Sequence, residues 1–106
     1  MKYGLQETQI DQIQAVLARY PEVEKALLFG SRAKGNYKPY SDIDVVLIGQ
    51  HLSLFIMGKI HFDLDDLLLP YTFDIAIYHQ ISDANVLAHI NRVGKVLYEK
   101  PLLLQV

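Results

Sequence analysis

Hydrophobic residues recur with the spacing of a helix near the start of the chain. Across residues 8–20, apolar side chains return every three or four positions and polar side chains fill the gaps; the apolar set is Ile10, Ile13, Val16, Leu17 and Tyr20. This spacing places the set on one stripe of an α-helix, and the pattern ends at Pro21 because proline cannot continue a helix. We therefore expect an amphipathic helix with one buried face.

Three later segments have the composition of strands. They are short apolar runs, rich in β-branched residues in the second and third cases: residues 25–30 (KALLFG), 42–49 (DIDVVLIG) and 72–78 (TFDIAIY). The first two are continuous enough to predict strands that are buried on both faces. A last short strand is expected at residues 95–98.

Two further helices are predicted between these strands. Residues 52–69 are long enough for a helix, stop before Pro70 and leave little polar face. The next helix follows Ser82, which can cap it, and ends at Gly94. With a short helix after Gly30, the element order α-β-α-β-α-β-α-β predicts a single α/β domain over residues 1–106. We expect the tail after Pro101 to be disordered.

The composition and net charge indicate a folded globular protein and exclude several kinds of site. The apolar share of 51% is typical of a folded globule, and the absence of cysteine excludes disulfides and thiolate metal sites. A net charge of −2 supplies no field that would hold nucleic acid, so we expect no direct nucleic-acid binding. Because no apolar run is long enough to span a bilayer, we expect a soluble, cytoplasmic protein without a membrane partner.

Aspartates occur in two of the predicted strands. Asp42 and Asp44 lie in the segment FGSRAKGNYKPYSDIDVVL (residues 29–47). On a strand they share one face, with Cβ atoms roughly 6.5 to 7 Å apart. Asp74 stands between apolar neighbours in the third strand. If that strand lies beside the second, about 4.8 Å away, the three carboxylates form one cluster.

Such a cluster favours phosphate chemistry. Like charges repel by about 4 kcal/mol at about 4 Å with an effective dielectric near 20, so the site must take up protons or cations. Mg²⁺ prefers oxygen ligands, and a pair of such ions supports nucleotidyl transfer. Gly30 lets the backbone approach a ligand, and Ser31 offers a hydroxyl and an amide. Arg32, Lys34 and Lys38 could neutralise a triphosphate.

Other interpretations of these residues are weaker. Gly30 and Gly35 have the spacing of a P-loop, but asparagine and tyrosine follow where lysine and a hydroxyl residue are required. Ser31 lacks the flanking glycines of a nucleophile elbow. Taken alone, the glycine–serine pair is an ordinary turn and Asp42 a turn aspartate. Asp44, however, is costly inside an apolar strand unless it is paired or metal-bound. We expect the histidines to be surface or satisfied side chains: His51, His61, His79 and His89.

The combined motif resembles the nucleotidyltransferase superfamily that includes DNA polymerase β. Gly30 and Ser31 are followed, after ten residues, by Asp42 and Asp44, and later by Asp74. The small size of the chain and the sequence GSRAKG…YSDIDVVL are most similar to the minimal nucleotidyltransferases, the antitoxin halves of prokaryotic toxin–antitoxin pairs. The resemblance implies the nucleotidyltransferase fold, a small mixed β-sheet flanked by helices.

The resemblance, which covers residues 25–78, also implies a site and a reaction. The implied metal ligands are Asp42, Asp44 and Asp74, and the implied nucleotide-binding residues are Gly30, Ser31 and Arg32. It further implies ATP as substrate, two Mg²⁺ ions, and transfer of AMP to a tyrosine of a HEPN-domain ribonuclease toxin encoded nearby. By family position, Asp74 would take the acceptor's proton.

Two other functions stay open. The chain could neutralise its partner by covering it without catalysis, or it could modify a small-molecule hydroxyl. The apolar helix over residues 52–69 is either buried in the core or a docking surface for a partner, and self-association is a further possibility.

Overall fold

The computed structural model describes residues 1–101. In this range the elements are α1 (Glu7–Ala18), β1 (Lys25–Phe29), α2 (Gly30–Lys34), β2 (Ile43–Ile48), α3 (Leu54–Asp65), β3 (Phe73–Ile77), α4 (Ala84–Val93) and β4 (Lys95–Glu99). The predicted order is confirmed, with a short 3₁₀ turn added at Tyr78–Gln80. The prediction of a disordered tail after Pro101 lies outside the described residues.

The strands form one mixed sheet in the order β3-β2-β1-β4. β1 pairs antiparallel with both β2 and β4, whereas β2 and β3 run parallel. A parallel pair cannot be joined by a tight turn, and α3 supplies the crossover between β2 and β3. The mixed sheet expected from the resemblance is confirmed.

The two faces of the sheet are covered by different helices. The main core joins apolar residues of α1 and α3 to alternate strand residues: Ile13, Val16, Leu17, Ala26, Leu28, Ile43, Val45, Leu47, Ile60 and Leu64. Val46 of β2 and Ile90 of α4 are buried outside that core, on the opposite face. The two-sided burial predicted for β1 is wrong, because Leu27 and Phe29 on that second face are only half-buried.

Two helix boundaries differ from the predictions. α3 begins after Ser53, whose hydroxyl accepts the Ile56 N–H, and it spans only Leu54–Asp65. α4 is capped by the Asp83 carboxylate rather than by Ser82. Within residues 1–101, no helix has the length and apolarity needed to cross a membrane.

α3 is also less buried than its composition suggested. Leu54, Phe55 and Phe62 are 64%, 73% and 71% exposed. Ile60 and Leu64, by contrast, are buried in the main core. One stripe of the helix therefore packs on the sheet, and a second apolar stripe faces outward.

Candidate active site

Two aspartates face each other across the parallel strand pair. In the register of β2 and β3, Asp44 lies opposite Asp74, and the flanking residues Ile43 and Phe73 are buried in the main core. Because strand side chains alternate, both carboxylates point to the opposite face of the sheet. The predicted adjacency of the two acidic strands is therefore confirmed. Asp42 precedes β2 and is exposed.

The position of Asp44 is electrostatically unfavourable for a charged carboxylate. Burial raises the pKa of Asp44 to about 6, with further contributions from the negative charges of Asp74 and Asp42 and from a hydrogen bond with the Asp74 carboxyl group. The positive charge of Arg32 lowers the pKa of Asp44 by a smaller amount. A proton or a cation at this carboxylate is therefore favourable.

The donor chemistry of the acidic cluster fits a hard divalent cation. Carboxylate oxygens are the ligands that Mg²⁺ prefers, and a cation would relieve the repulsion that raises the pKa of Asp44. As the side chains of residues 1–101 stand, no group of three or more His, Cys, Asp or Glu residues is arranged around a single metal position. Asp42 and Asp74 are exposed, so their side chains are free to turn towards a cation.

Gly30 lies directly against Asp44. Its φ of +70° is in the left-handed region, and a Cβ atom at this position would collide with the Asp44 carboxylate. Only glycine satisfies both conditions. Gly30 opens α2, and the half-buried Ser31 follows it. The predicted phosphate-holding pair is thus brought next to the acidic cluster, while its role in binding phosphate stays a prediction.

Arg32 lies behind the site rather than in it. The side chain is 1% exposed and makes four hydrogen bonds, which go to the backbone carbonyls of Tyr3, Pro39 and Ser41. Its guanidinium also contacts the rings of Tyr37 and Tyr71, at 5.3 and 4.7 Å from their centroids. The sequence predicted a contact with phosphate, but the structure commits these donors to the Tyr3 carbonyl and to the loop that leads to Asp42.

One contact in this region was not predicted. The imidazole Nε2 of His89, on α4, accepts a hydrogen bond from the Gly30 N–H at 3.2 Å. The ring also packs edge-on against Phe29, with centroids 6.3 Å apart. The sequence predicted a surface or satisfied histidine, and His89 is a half-buried ring satisfied by this bond; the identity of its partner, 59 positions away, had no signal in the sequence.

Comparison with solved structures supports the fold. A toxin–antitoxin structure with AMP-PNP has 23% identity and a TM-score of 0.65, covering 91% of this chain and 75% of that one. The MntA–HepT toxin–antitoxin structure has 21% identity and a TM-score of 0.64, covering 90% and 74%. A tri-AMPylated Shewanella oneidensis HEPN toxin in complex with MNT antitoxin has 21% identity and a TM-score of 0.65, covering 91% and 74%. At these identities the likeness shows the fold alone.

Sequence comparison is decisive at the level of the family. No curated protein sequence matches the chain. The family described as Polymerase beta, Nucleotidyltransferase matches residues 11–101, which include every strand and the acidic cluster. The chain therefore belongs to the polymerase β nucleotidyltransferase family.

Proposed function

We propose that this protein is a Mg²⁺-dependent adenylyltransferase that moves AMP from ATP to a tyrosine of a HEPN-domain toxin, and that it is the antitoxin of a toxin–antitoxin pair in the cytoplasm. The observation that carries the proposal is the pairing of Asp44 with Asp74 beside Gly30. Further support comes from the relatives, one of which contains AMP-PNP and another a tri-AMPylated HEPN toxin.

In this proposal the residues of the site have two roles, metal binding and phosphate binding. Asp42, Asp44 and Asp74 would hold Mg²⁺, which when bound would neutralise the triphosphate and stabilise the departing pyrophosphate. Gly30 and Ser31 would hold the phosphates, Ser31 through its hydroxyl and amide, while the missing side chain at Gly30 leaves the space that the Asp44 carboxylate occupies.

The transfer itself balances without a further reactant. The tyrosine oxygen forms a bond to the α-phosphorus of ATP, and the bond from that phosphorus to the bridging oxygen breaks, which releases pyrophosphate. The proton of the tyrosine hydroxyl passes to the Asp74 carboxylate in our assignment, since Asp74 is exposed beside Asp44.

The test is transfer of label from ATP labelled at the α-phosphate to the protein encoded by the neighbouring gene, in the presence of Mg²⁺. Asp44→Asn removes a charged ligand with little change in volume, and we expect it to lower the rate at least about a hundredfold. Asp11→Asn, an exposed acid on α1, is the matched control and should keep the parent rate. A rate for Asp44→Asn close to that of the parent would refute the assignment.

Neutralisation by binding alone is the second candidate. It is favoured by the relatives, which were solved as toxin–antitoxin complexes. The same experiment separates the two functions, because a stable complex that carries no label and still silences the toxin supports binding without catalysis.

A further inference from the structure

His89 is the one imidazole of the described residues that contacts the candidate site. It lies on α4 beside the buried Ile90, on the side of the helix that packs on α2 and β1. Because Nε2 accepts the Gly30 N–H, the ring proton of the neutral imidazole must be on Nδ1. The contact thus uses one defined tautomer.

The ring is held from two directions. Its edge-on packing against Phe29, at an interplanar angle of 78°, fixes the ring plane, and the bond to Gly30 fixes the position of Nε2. Phe29 itself lies opposite Asp44 in the register of β1 and β2. His89 therefore touches both residues of the chain segment that turns from β1 into α2 next to the acidic cluster.

The Gly30 backbone has no freedom to shift towards Asp44. The space that a Cβ atom of Gly30 would need is already filled by the carboxylate of Asp44. Any displacement of the Phe29–Gly30 peptide must therefore move the carboxylate or open a gap beside it. An acceptor that fixes the Gly30 N–H also fixes the wall against which Asp44 rests.

We propose that His89 is a positioning residue for nucleotidyl transfer, which holds the Gly30 peptide in place through Nε2 and thereby sets the position of the Asp44 carboxylate. This inference rests on the proposed function for its kinetic consequence. It assigns to α4 a part in the reaction that no motif in the sequence indicates.

The test compares two substitutions that differ in one property. His89→Phe keeps an aromatic ring against Phe29 but has no acceptor, whereas His89→Gln offers an amide oxygen that can accept the Gly30 N–H. His79→Phe, at an exposed histidine in the 3₁₀ turn, is the control for the loss of an imidazole. Each variant is measured for kcat and KM for ATP, for the affinity of Mg²⁺–AMP-PNP by calorimetry, and for the thermal unfolding midpoint.

We expect His89→Phe to lower kcat at least about tenfold while the protein stays folded, because small displacements of reacting groups are costly. We expect His89→Gln to recover most of the loss and His79→Phe to match the parent. Parent-like kcat in His89→Phe would overturn the proposal. So would a His89→Gln variant as slow as His89→Phe, because the acceptor would then not be what matters.

Failure of the proposed function gives a different result. If the parent protein transfers no AMP, the adenylyltransferase assignment is wrong, and the affinity for Mg²⁺–AMP-PNP decides the role of His89. Weaker binding in His89→Phe that His89→Gln restores supports the positioning role. Unchanged binding in His89→Phe overturns it.

Discussion

Asp44 occupies an unfavourable position for a charged carboxylate, and we propose a metal-binding role for it. A carboxylate on a central strand loses hydration, and here it also faces Asp74 across the strand pair. Such a group stays in a folded protein where a cation or a proton satisfies it. Burial and the neighbouring acids raise the pKa of Asp44, so a proton or a cation at this carboxylate stabilises the folded state.

The raised pKa of Asp44 predicts a dependence of stability on pH. The pKa lies above its ordinary value of 3.8, at about 6, so the folded state holds this proton more tightly than the unfolded chain. The stability linked to the group is complete below about pH 4 and is lost as the pH rises through about 6. In a chelator, we expect Asp44→Asn to be more stable than the parent at neutral pH.

Thermal unfolding of both proteins in a chelator measures this effect. The advantage of Asp44→Asn in unfolding midpoint should grow from about pH 4 to about pH 7. An advantage that stays constant over this range would show that the carboxylate is not strained. Added Mg²⁺ should raise the midpoint of the parent more than that of the variant.

The two left-handed glycines of α2 provide a matched pair of substitutions. Gly30 and Gly35 both have positive φ, but a Cβ atom meets Asp44 at Gly30 and nothing within 4 Å at Gly35. Gly35→Ala should cost about 1 kcal/mol of unfolding free energy, from backbone strain alone, and keep the transfer rate. Gly30→Ala should cost more and also reduce transfer at least about tenfold, because it displaces a carboxylate. Equal transfer rates in the two variants would contradict this account.

The residues of the site differ in how well the sequence predicts them. The sequence predicted a shared face for Asp42 and Asp44 from strand alternation, but β2 begins at Ile43, so Asp42 lies just before the strand and its part in the site stays a prediction. The place of Asp74 required a strand pairing, which a single sequence does not contain. The partners of Arg32 and His89 lie up to 59 positions away and leave no local pattern. Arg32, a basic residue beside the glycine–serine pair, was therefore predicted to bind phosphate, although its donors bond to backbone carbonyls.

At the scale of elements, the loop between α2 and β2 is organised by a single buried cation. Arg32 donates to the carbonyl of Ser41 through both Nε and Nη2, at 3.1 and 2.8 Å. Ser41 in turn accepts the Lys38 N–H through its hydroxyl, which closes the loop on itself. Because Asp42 directly follows Ser41, the hydrogen bonds from the Arg32 guanidinium to the Ser41 carbonyl help to set the position of Asp42.

Replacing the Arg32 guanidinium with the single ammonium group of lysine should lower stability and impair function. Lysine cannot reproduce the planar donors or the stacking on Tyr37 and Tyr71, so we expect Arg32→Lys to lower the free energy of unfolding by about 2 kcal/mol or more. Lys38→Gln, on the exposed side of the same loop, should change it by less than about 0.5 kcal/mol. Chemical denaturation measures both. A parent-like Arg32→Lys variant would mean that the loop does not depend on this residue.

The elements themselves were predictable to different degrees. α1 has a clear helical period and the strands are short apolar runs bounded by polar residues or glycine, and all of these elements lie within two residues of their predicted bounds. α3 is shorter than predicted because the chain leaves the helix after Asp65, well before Pro70, and its uniform apolar composition contained no period to show which stripe packs on the sheet. Its use as a docking surface stays a prediction.

At the scale of the molecule, the sheet connects two structurally different sides. The α1 and α3 side forms the main core, while the other side carries the acidic cluster and α4. β1 and β2 contribute residues to both sides, so loosening one side should loosen the other. That residues 1–106 form one domain stays a prediction.

A single domain predicts a single unfolding transition. We expect the calorimetric and van 't Hoff enthalpies of the protein to agree, and the same midpoint to be seen by far-ultraviolet circular dichroism and by tyrosine fluorescence. Two separate transitions, or a midpoint that depends on the probe, would contradict the single-domain interpretation.

The acidic cluster depends on the exact register of the parallel pair β2 and β3, and a change of register by one residue would remove it. Sliding β3 by one residue would turn Asp74 into the apolar core and bring Phe73 or Ile75 out beside Asp44. The two strands are connected along the chain by the crossover through α3. Residues that pack α3 on the sheet therefore help to set the register of β3 against β2. Substitutions there are expected to preserve the candidate site or to abolish it together with the fold, with few intermediate cases.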